Sequence, residues 1–377
     1  MGYVNVISRF QRMEEKAKIL KKIFSIIRAL GGEVDSVVLL NSFEEFGIER
    51  DAFFFYPQSN GIVIDASDEK YDMMLEAIKK SDADVFFFHF QNELYCSGNR
   101  IERLFDAIGN RKSYCMVWEF NMITDFPQTW EVIQNRATKI CLMSEIGLEY
   151  IKQTPNITVM ESPNVCLPEV NANKEEVRKE LGITTPYVML MFALPCPRQN
   201  IEFAVKLTER LKDVTFVYVT GLFKEEFYAS YLSGLETYAN SKGFSERLKI
   251  LRGWKSFDEL ARVFSIADIA LAPYTVFSGF DIGSSSIMYL LSAGKCIIGS
   301  PKKIFQLFET KYKCMVTVKT SIGYGCNSNE NLDEFESLIR FYLSHPEERK
   351  EIEKNGREFA YTHSWKEFAK KIISDLQ

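Results

Sequence analysis

Short runs of Val, Ile and Phe alternate with amphipathic segments along almost the whole chain, and this alternation restricts the fold more than any other feature. In the first half the apolar runs are YVNVIS near Tyr3, VDSVVLL near Val34, DVFFFHF near Asp84, CMVWEF near Cys115, TKICLM near Thr138 and ITVME near Ile157. In the second half they are Tyr187 to Phe192, Thr215 to Thr220, Leu248 to Leu251, Ile269 to Ala272, Cys296 to Gly299 and Met315 to Val318. A continuous apolar run has no polar face to turn to water. Such strands are buried on both sides, which calls for parallel sheets covered by helices. The clearest helical pattern between them runs from Glu14 to Leu30, with Leu20, Ile23, Phe24 and Ile27 at helical spacing and Gly31-Gly32 as its stop.

The pattern restarts after SPNVCLPEV (Ser162 to Val170), where two prolines and few helix formers mark a linker. A chain of 377 residues is too long for one ordinary core, and the restart divides it. The expected organisation is a Rossmann-like domain over 1–165, a second over 166–360, and a C-terminal helix over 361–377 that crosses back to the first. Pro346 opens one helix of the tail and Ser364 caps the last. The fold class is therefore α/β, with two doubly wound domains and a helical tail. Ligands of such sheets bind at the carboxyl ends of the strands.

Composition removes several function classes. Lys plus Arg number 46 against 51 Asp plus Glu, a net charge of -5, which argues against a nucleic-acid binder working by bulk charge. Only His89, His345 and His363 are histidines, so no multi-histidine metal site is expected. The eight cysteines stand singly, with no C-x-x-C pair, and read as free thiols of a reducing compartment. The N-terminus has no apolar signal core and no run reaches about 18 apolar residues. The expected location is cytoplasmic, with one reservation. Lys16, Lys18, Lys21, Lys22 and Arg28 would form a basic stripe on the Glu14–Leu30 helix. Such a stripe suits either solvent or the inner face of an anionic membrane.

The most specific stretch runs from Leu251 to Pro301. It reads as a strand, Gly253, a capping box of Ser256 and Glu259, and a helix with apolar Phe257, Leu260, Ala261 and Phe264. A strand ending at Pro273-Tyr274 follows, then the loop SGFDIGSSS, the helix IMYLLSAG and the strand KCIIG. A Gly/Ser loop feeding a helix start after a buried strand suits an anion, because free N–H groups and the helix dipole both favour phosphate. Asp281 can accept hydrogen bonds from sugar hydroxyls, and Tyr289 stands two turns into the helix. The competing reading is an ordinary strand–loop–helix crossover.

These words, G-W-x-S, E-L, A-D-I, P-Y and A-G-K-x-I-I, in this order and spacing, resemble the retaining nucleotide-sugar glycosyltransferases of the GT-B fold, especially glycosyltransferase family 4. The Pro163-Asn164 turn, Pro197-Arg198-Gln199-Asn200 after a strand, and the closing HPEERKEIEKNGREF segment add to the likeness, which lies mainly between Val165 and His363. The resemblance implies two Rossmann-like domains facing a cleft. It also implies hexosyl transfer from a UDP- or GDP-linked sugar to a glycan, lipid-linked or protein acceptor, without metal or other cofactor. By position, Asp281 matches the residue contacting the donor sugar, and Tyr289 stands where the family has a ribose-binding glutamate. Arg198 matches a diphosphate-binding lysine, while Ala193 replaces the accompanying arginine, with Lys206 or Lys295 as substitutes. Gly253 and Trp254 fall in the base-contacting segment, and Gly283, Ser284 and Ser285 form the phosphate loop. In the first domain ISRFQRMEE lacks the usual glycine loop, leaving Arg9 in its stead. Glu119 stands where relatives carry a histidine, beside Trp118 and Asn121. A carboxylate at a strand end can take an acceptor's proton or steady an oxocarbenium-like centre. It can equally be paired with a nearby base. The substitutions at Ala193 and Tyr289 leave open a second class, a catalytically weakened homologue that binds a glycan or protein. The oligomeric state is not legible.

Overall fold

A computed structural model describes residues 20–28, 33–56, 65–170, 172–220, 225–253, 255–276, 284–323 and 328–376. The chain divides into two compact units. One comprises the chain up to Pro163 together with His363–Gln377, and the other spans Asn164–Thr362.

The first unit holds a six-stranded sheet in the order β2-β1-β3-β4-β5-β6, with every neighbour parallel. Its strands are β1 (Lys22–Arg28), β2 (Glu49–Phe55), β3 (Val85–His89), β4 (Lys112–Val117), β5 (Lys139–Leu142) and β6 (Ile157–Val159). Four of the six match expected runs. The start of the chain corrects the rest. Lys22–Arg28 is a strand, where the Leu20/Ile23/Phe24/Ile27 spacing suggests a helix. Glu33–Glu45 is a helix, where VDSVVLL suggests a strand. Ile23, Phe24, Ile26 and Ile27 are all buried. With Ser25 also buried, five consecutive positions are covered, which a one-sided helix cannot do, whereas a central strand buries both its faces. The Glu33–Glu45 helix buries Leu39, Leu40 and Phe43 and leaves Val37 41% exposed, the one-sided burial of a surface helix.

This correction also dissolves the basic stripe. Lys22 lies in β1, where its ammonium pairs with Asp51 at 2.9 Å and Asp82 at 2.7 Å. Lys16 and Lys18, like the expected strand near Tyr3 and the Gly31-Gly32 stop, lie outside the described residues.

The Trp365–Asp375 helix, capped by Ser364 as its sequence suggests, belongs to this first unit. Phe368 is fully buried with its ring 6.2 Å from Phe87 and 6.1 Å from Tyr114. The Tyr114 hydroxyl donates to Asp375 at 2.8 Å.

The second unit repeats the plan in the order β12-β11-β10-β7-β8-β9, again all parallel. Its strands are β7 (Tyr187–Phe192), β8 (Val214–Val219), β9 (Leu248–Leu251), β10 (Ile269–Ala272), β11 (Ile297–Gly299) and β12 (Val316–Thr317). They follow the expected runs within one or two residues. β8 is buried at every position, as an uninterrupted VTFVYV run demands. Gly294 follows the Ser285–Ser292 helix at φ 61, the left-handed end that glycine tolerates. A Cβ there would run into the Arg357 guanidinium of the Pro346–Thr362 helix.

This sheet order has a consequence for binding. The chain lays down β7, moves outward through β8 and β9, then returns to place β10 on the other side of β7. Sheets with such a reversal of strand order bind ligands outside the carboxyl ends of the strands at the switch point, here β7 and β10.

Candidate donor site at the β7–β10 switch point

Two loops meet at this switch point. After β7 come Ala193 to Cys196 and a short turn, Pro197–Gln199, then the Ile201–Arg210 helix. After β10 come Pro273 to Val276. The Thr275 N–H donates to the Arg198 carbonyl at 2.9 Å and joins the loops. The Arg198 side chain is exposed and has no carboxylate partner among the described residues. Asn200 adopts the left-handed region (φ 55) and is 3% exposed, and its side chain does not cap the helix it precedes.

Among the described residues, the carboxyl edge of the sheet is lined by buried polar groups that lack a close, well-aligned hydrogen-bond partner. They are the hydroxyls of Thr220 after β8, Tyr274 and Thr275 after β10, and Ser300 after β11, with the Gln199 Oε1 and Asn200 Nδ2 from the β7 loop. All four hydroxyl residues are less than 5% exposed. A buried polar group without a partner costs about 1–3 kcal/mol. Four hydroxyls at the ends of β8, β10 and β11 form a polar floor suited to a hydrogen-bonding ligand. Burial pushes the Tyr274 phenol up to about 12. The hydroxyls of Ser284 and Ser286 and the charge on Arg198 act the other way. These effects tie Tyr274, Arg198 and the start of the Ser285–Ser292 helix to one locality.

Among the described residues that helix start carries no side-chain cap. Ser67, Ser256, Ser328 and Ser364 each cap the helix they precede through a side-chain oxygen, whereas Ser284 makes no such bond. First-turn N–H groups not engaged by a cap are the donors that bind an anion. Further along the helix, Tyr289 meets Phe192 edge-on at 5.8 Å and Phe257 at 6.0 Å. Gly253 ends the β9 loop four residues before Phe257, at φ 84.

Arg198, Ser284, Ser285, Tyr289 and Gly253 thus all lie on the loops and helix starts at this edge. Asp281, Gly283 and Trp254 lie outside the described residues, as does Arg9. Lys295 does not replace the cation missing at Ala193. It precedes β11 at the amino edge of the sheet, is 7% exposed, and donates to the Ala267 carbonyl at 3.2 Å. Lys206 lies half-buried in the Ile201–Arg210 helix, which runs away from the same edge.

In the first unit, Glu119 is half-buried two residues beyond β4, and its carbonyl accepts from the Met122 N–H at 3.2 Å. Trp118 beside it faces Trp365 at 6.3 Å. His89 closes β3 on the adjacent strand, its ring edge-on to Phe87 at 5.3 Å. Neither Glu119 nor His89 is without an interaction partner.

The seven cysteines among the described residues are all free thiols. Burial pushes Cys141 and Cys314 up to about 12 and Cys166 to about 11, which suppresses thiolate chemistry there. Among the described residues no helix is long and apolar enough to cross a membrane.

The floor of unpartnered hydroxyls went unread in the sequence. Thr220, Tyr274, Thr275 and Ser300 become conspicuous only when four strands stand side by side.

No protein-family model matches the chain, and no curated protein sequence matches it. Solved structures do. The chain is similar to sucrose-phosphate synthase from Thermosynechococcus elongatus, with a TM-score of 0.71 at 13% identity over 94% of this chain and 98% of that one. It is similar to a glycosyltransferase from Rickettsia africae, with a TM-score of 0.70 at 14% identity over 95% and 99%. It is also similar to the HepE protein of Anabaena in complex with UDP and glucose, with a TM-score of 0.68 at 13% identity over 95% and 99%. Likeness over nearly the full length of each chain establishes the fold as the two-unit α/β architecture of these proteins, the GT-B fold.

Proposed function

We infer that this chain is a glycosyltransferase that moves a sugar from a nucleoside-diphosphate donor to a hydroxyl of a glycan, lipid-linked or protein acceptor, with retention and without metal. The observation that supports it most is the row of buried hydroxyls at the β7–β10 switch point without well-aligned partners among the described residues, set beside Arg198 and the helix start at Ser284, which Ser284 does not cap. In the reaction the bond from the anomeric carbon to the β-phosphate oxygen breaks and the acceptor oxygen bonds to that carbon. The acceptor's proton leaves. The leaving diphosphate gains negative charge, and Arg198 with the N–H groups at Ser284 and Ser285 would stabilise it. Asp281 would hold the donor sugar. Glu119 in the first unit would serve the acceptor side, taking the proton or steadying the positive charge on carbon. The second unit is then the donor domain and the first the acceptor domain. The HepE protein of the same fold holds UDP and glucose, in keeping with a UDP-linked donor.

The test is direct. The protein is incubated with UDP-, GDP- and ADP-sugars, with and without EDTA, and released nucleotide is measured alongside nucleotide-induced thermal shifts. Release from at least one donor that persists in EDTA is expected. No release and no shift with any nucleotide rejects the enzyme, and release abolished by EDTA rejects the metal-free mechanism.

A further inference from the structure

The two halves of the donor site are built from different materials. Among the described residues, its phosphate half offers hydroxyls, N–H groups and the Arg198 guanidinium. Next to it the surface turns aromatic. Tyr289 lies one helical turn past Ser285 on the same helix face, about 6 Å along the axis. That is the step from a phosphate at the helix start to the nucleoside attached to it. There its ring packs with Phe192, the last residue of β7, and Phe257, the first residue of the Phe257–Ser265 helix. Phe192 is backed in turn by the buried Phe264 at 5.3 Å. Phe192, Phe257 and Tyr289 are each only partly buried, so the wall keeps some accessible surface.

Resting on the donor reading above, we propose that this aromatic wall holds the nucleoside by ring and sugar-face packing and contributes little recognition of the ribose hydroxyls. The site then accepts 2′-deoxyribonucleoside diphosphates nearly as well as ribonucleoside diphosphates. The chemistry follows from the side chains. A carboxylate accepts from the 2′- and 3′-hydroxyls together, through two charge-assisted bonds. The wall carries one polar atom, the Tyr289 phenol, which makes at most a single neutral hydrogen bond. A site built around a substrate hydroxyl rejects the analogue lacking it by several powers of ten, because its own polar groups are left unpaired. Phe192 and Phe257 have no polar groups to strand.

The experiment is titration of the intact protein with UDP and 2′-deoxy-UDP, and with GDP and 2′-deoxy-GDP, followed by calorimetry. The deoxy form of whichever nucleotide binds should bind within about fivefold of the ribo form, the range of one neutral hydrogen bond. Tyr289→Phe should leave both affinities within a similar factor. Tyr289→Ala should weaken ribo and deoxy forms equally, by roughly tenfold or more, as expected for lost base or sugar stacking. A deoxy form bound a hundredfold more weakly than its ribo partner overturns this proposal while leaving the donor reading intact. If neither ribonucleotide binds, the donor reading itself fails and this proposal goes with it. The wild-type comparison needs no variant to fold.

Discussion

Tyr274→Phe separates a binding hydroxyl from a structural one by sign. In the free protein the Tyr274 hydroxyl is buried and has no close, well-aligned hydrogen-bond partner among the described residues. A fully unsatisfied hydroxyl costs about 1–3 kcal/mol. The Ser284 and Ser286 hydroxyls nearby reduce that cost, so the lower end applies. Removing the oxygen while keeping the ring should therefore stabilise the free protein by about 1 kcal/mol, a rise of about 2–4 °C for a unit of this size. The same change removes a hydrogen bond to bound nucleotide and should weaken nucleotide affinity by about 1 kcal/mol, or roughly fivefold. Tyr218→Phe supplies the opposite case. Its hydroxyl is equally buried but donates to the Ala193 carbonyl at 2.9 Å. Losing it strands that carbonyl and should lower stability by about 1 kcal/mol or more.

The assay is differential scanning fluorimetry with and without nucleotide, following the transition that nucleotide shifts, since two units need not melt as one. The reasoning fails if Tyr274→Phe destabilises the free protein as Tyr218→Phe does, which would mean that the hydroxyl has a structural partner. It fails separately if nucleotide affinity is unchanged, because the polar floor would then not face the ligand.

Three further outcomes follow from other residues. Arg198→Ala should lower kcat/KM roughly 10- to 100-fold, the range for one charge-assisted bond to a phosphate. It should move the melting temperature by less than about 1 °C, since Arg198 is exposed and without an ion-pair partner among the described residues. Phe368→Ala should destabilise the first unit by about 3–5 kcal/mol, the range for truncating a buried aromatic, and leave the unfolding of the second unit unchanged in a denaturant titration. Lys295 gives a pH signature. Burial, aided by the charges on Lys174 and Arg357 and opposed by Glu353 and Asp268, lowers its pKa from the usual 10.5 to about 8. Between those values the folded state has released the proton and the unfolded chain still holds it, so stability rises with pH across that window. Measured against Lys295→Met, the wild type should gain up to about 3 kcal/mol between pH 8 and 10.5 and be the less stable protein at pH 7.

The second unit was legible nearly strand by strand, and the first was not. The difference lies in punctuation. β7 is followed by Pro195 and Pro197, β10 by Pro273, and the Ser285–Ser292 helix by Gly294, so each apolar run has a marked end. Around β1 there is no such mark. LKKIFSIIR satisfies a helical period through Leu20, Ile23, Phe24 and Ile27 and a buried strand equally well. Only the burial of Ile26 and Ser25 on the remaining positions decides. β2 was missed because it is an edge strand. Its ERDAFFF run opens with three charged residues, and only Phe55 is buried.

The site divides along the same line, between what depends on neighbours in sequence and what depends on neighbours in the sheet. Arg198 after a strand and Ser284 before a helix can be read locally, because strand ends and helix starts are local events. Thr220 and Ser300 cannot. A hydroxyl after a strand is ordinary in any loop, and these two lie 80 positions apart in the sequence. They join one row because β8, β7, β10 and β11 are adjacent, and that adjacency arises from the chain's return to the far side of β7. Lys295 shows the reverse error. As the Lys of the A-G-K word it is one of two substitutes offered for the cation missing at Ala193, yet the Ser285–Ser292 helix carries the chain from the carboxyl edge of the sheet to the amino edge before Lys295 is reached. Eight helical residues span about 12 Å, enough to take the ammonium out of reach of any group bound at Ser284. On the donor reading, Arg198 and the backbone donors at Ser284 and Ser285 then stabilise the diphosphate without help from Lys295. Activity should depend more steeply on Arg198 than it would in a site with two cations to share the charge.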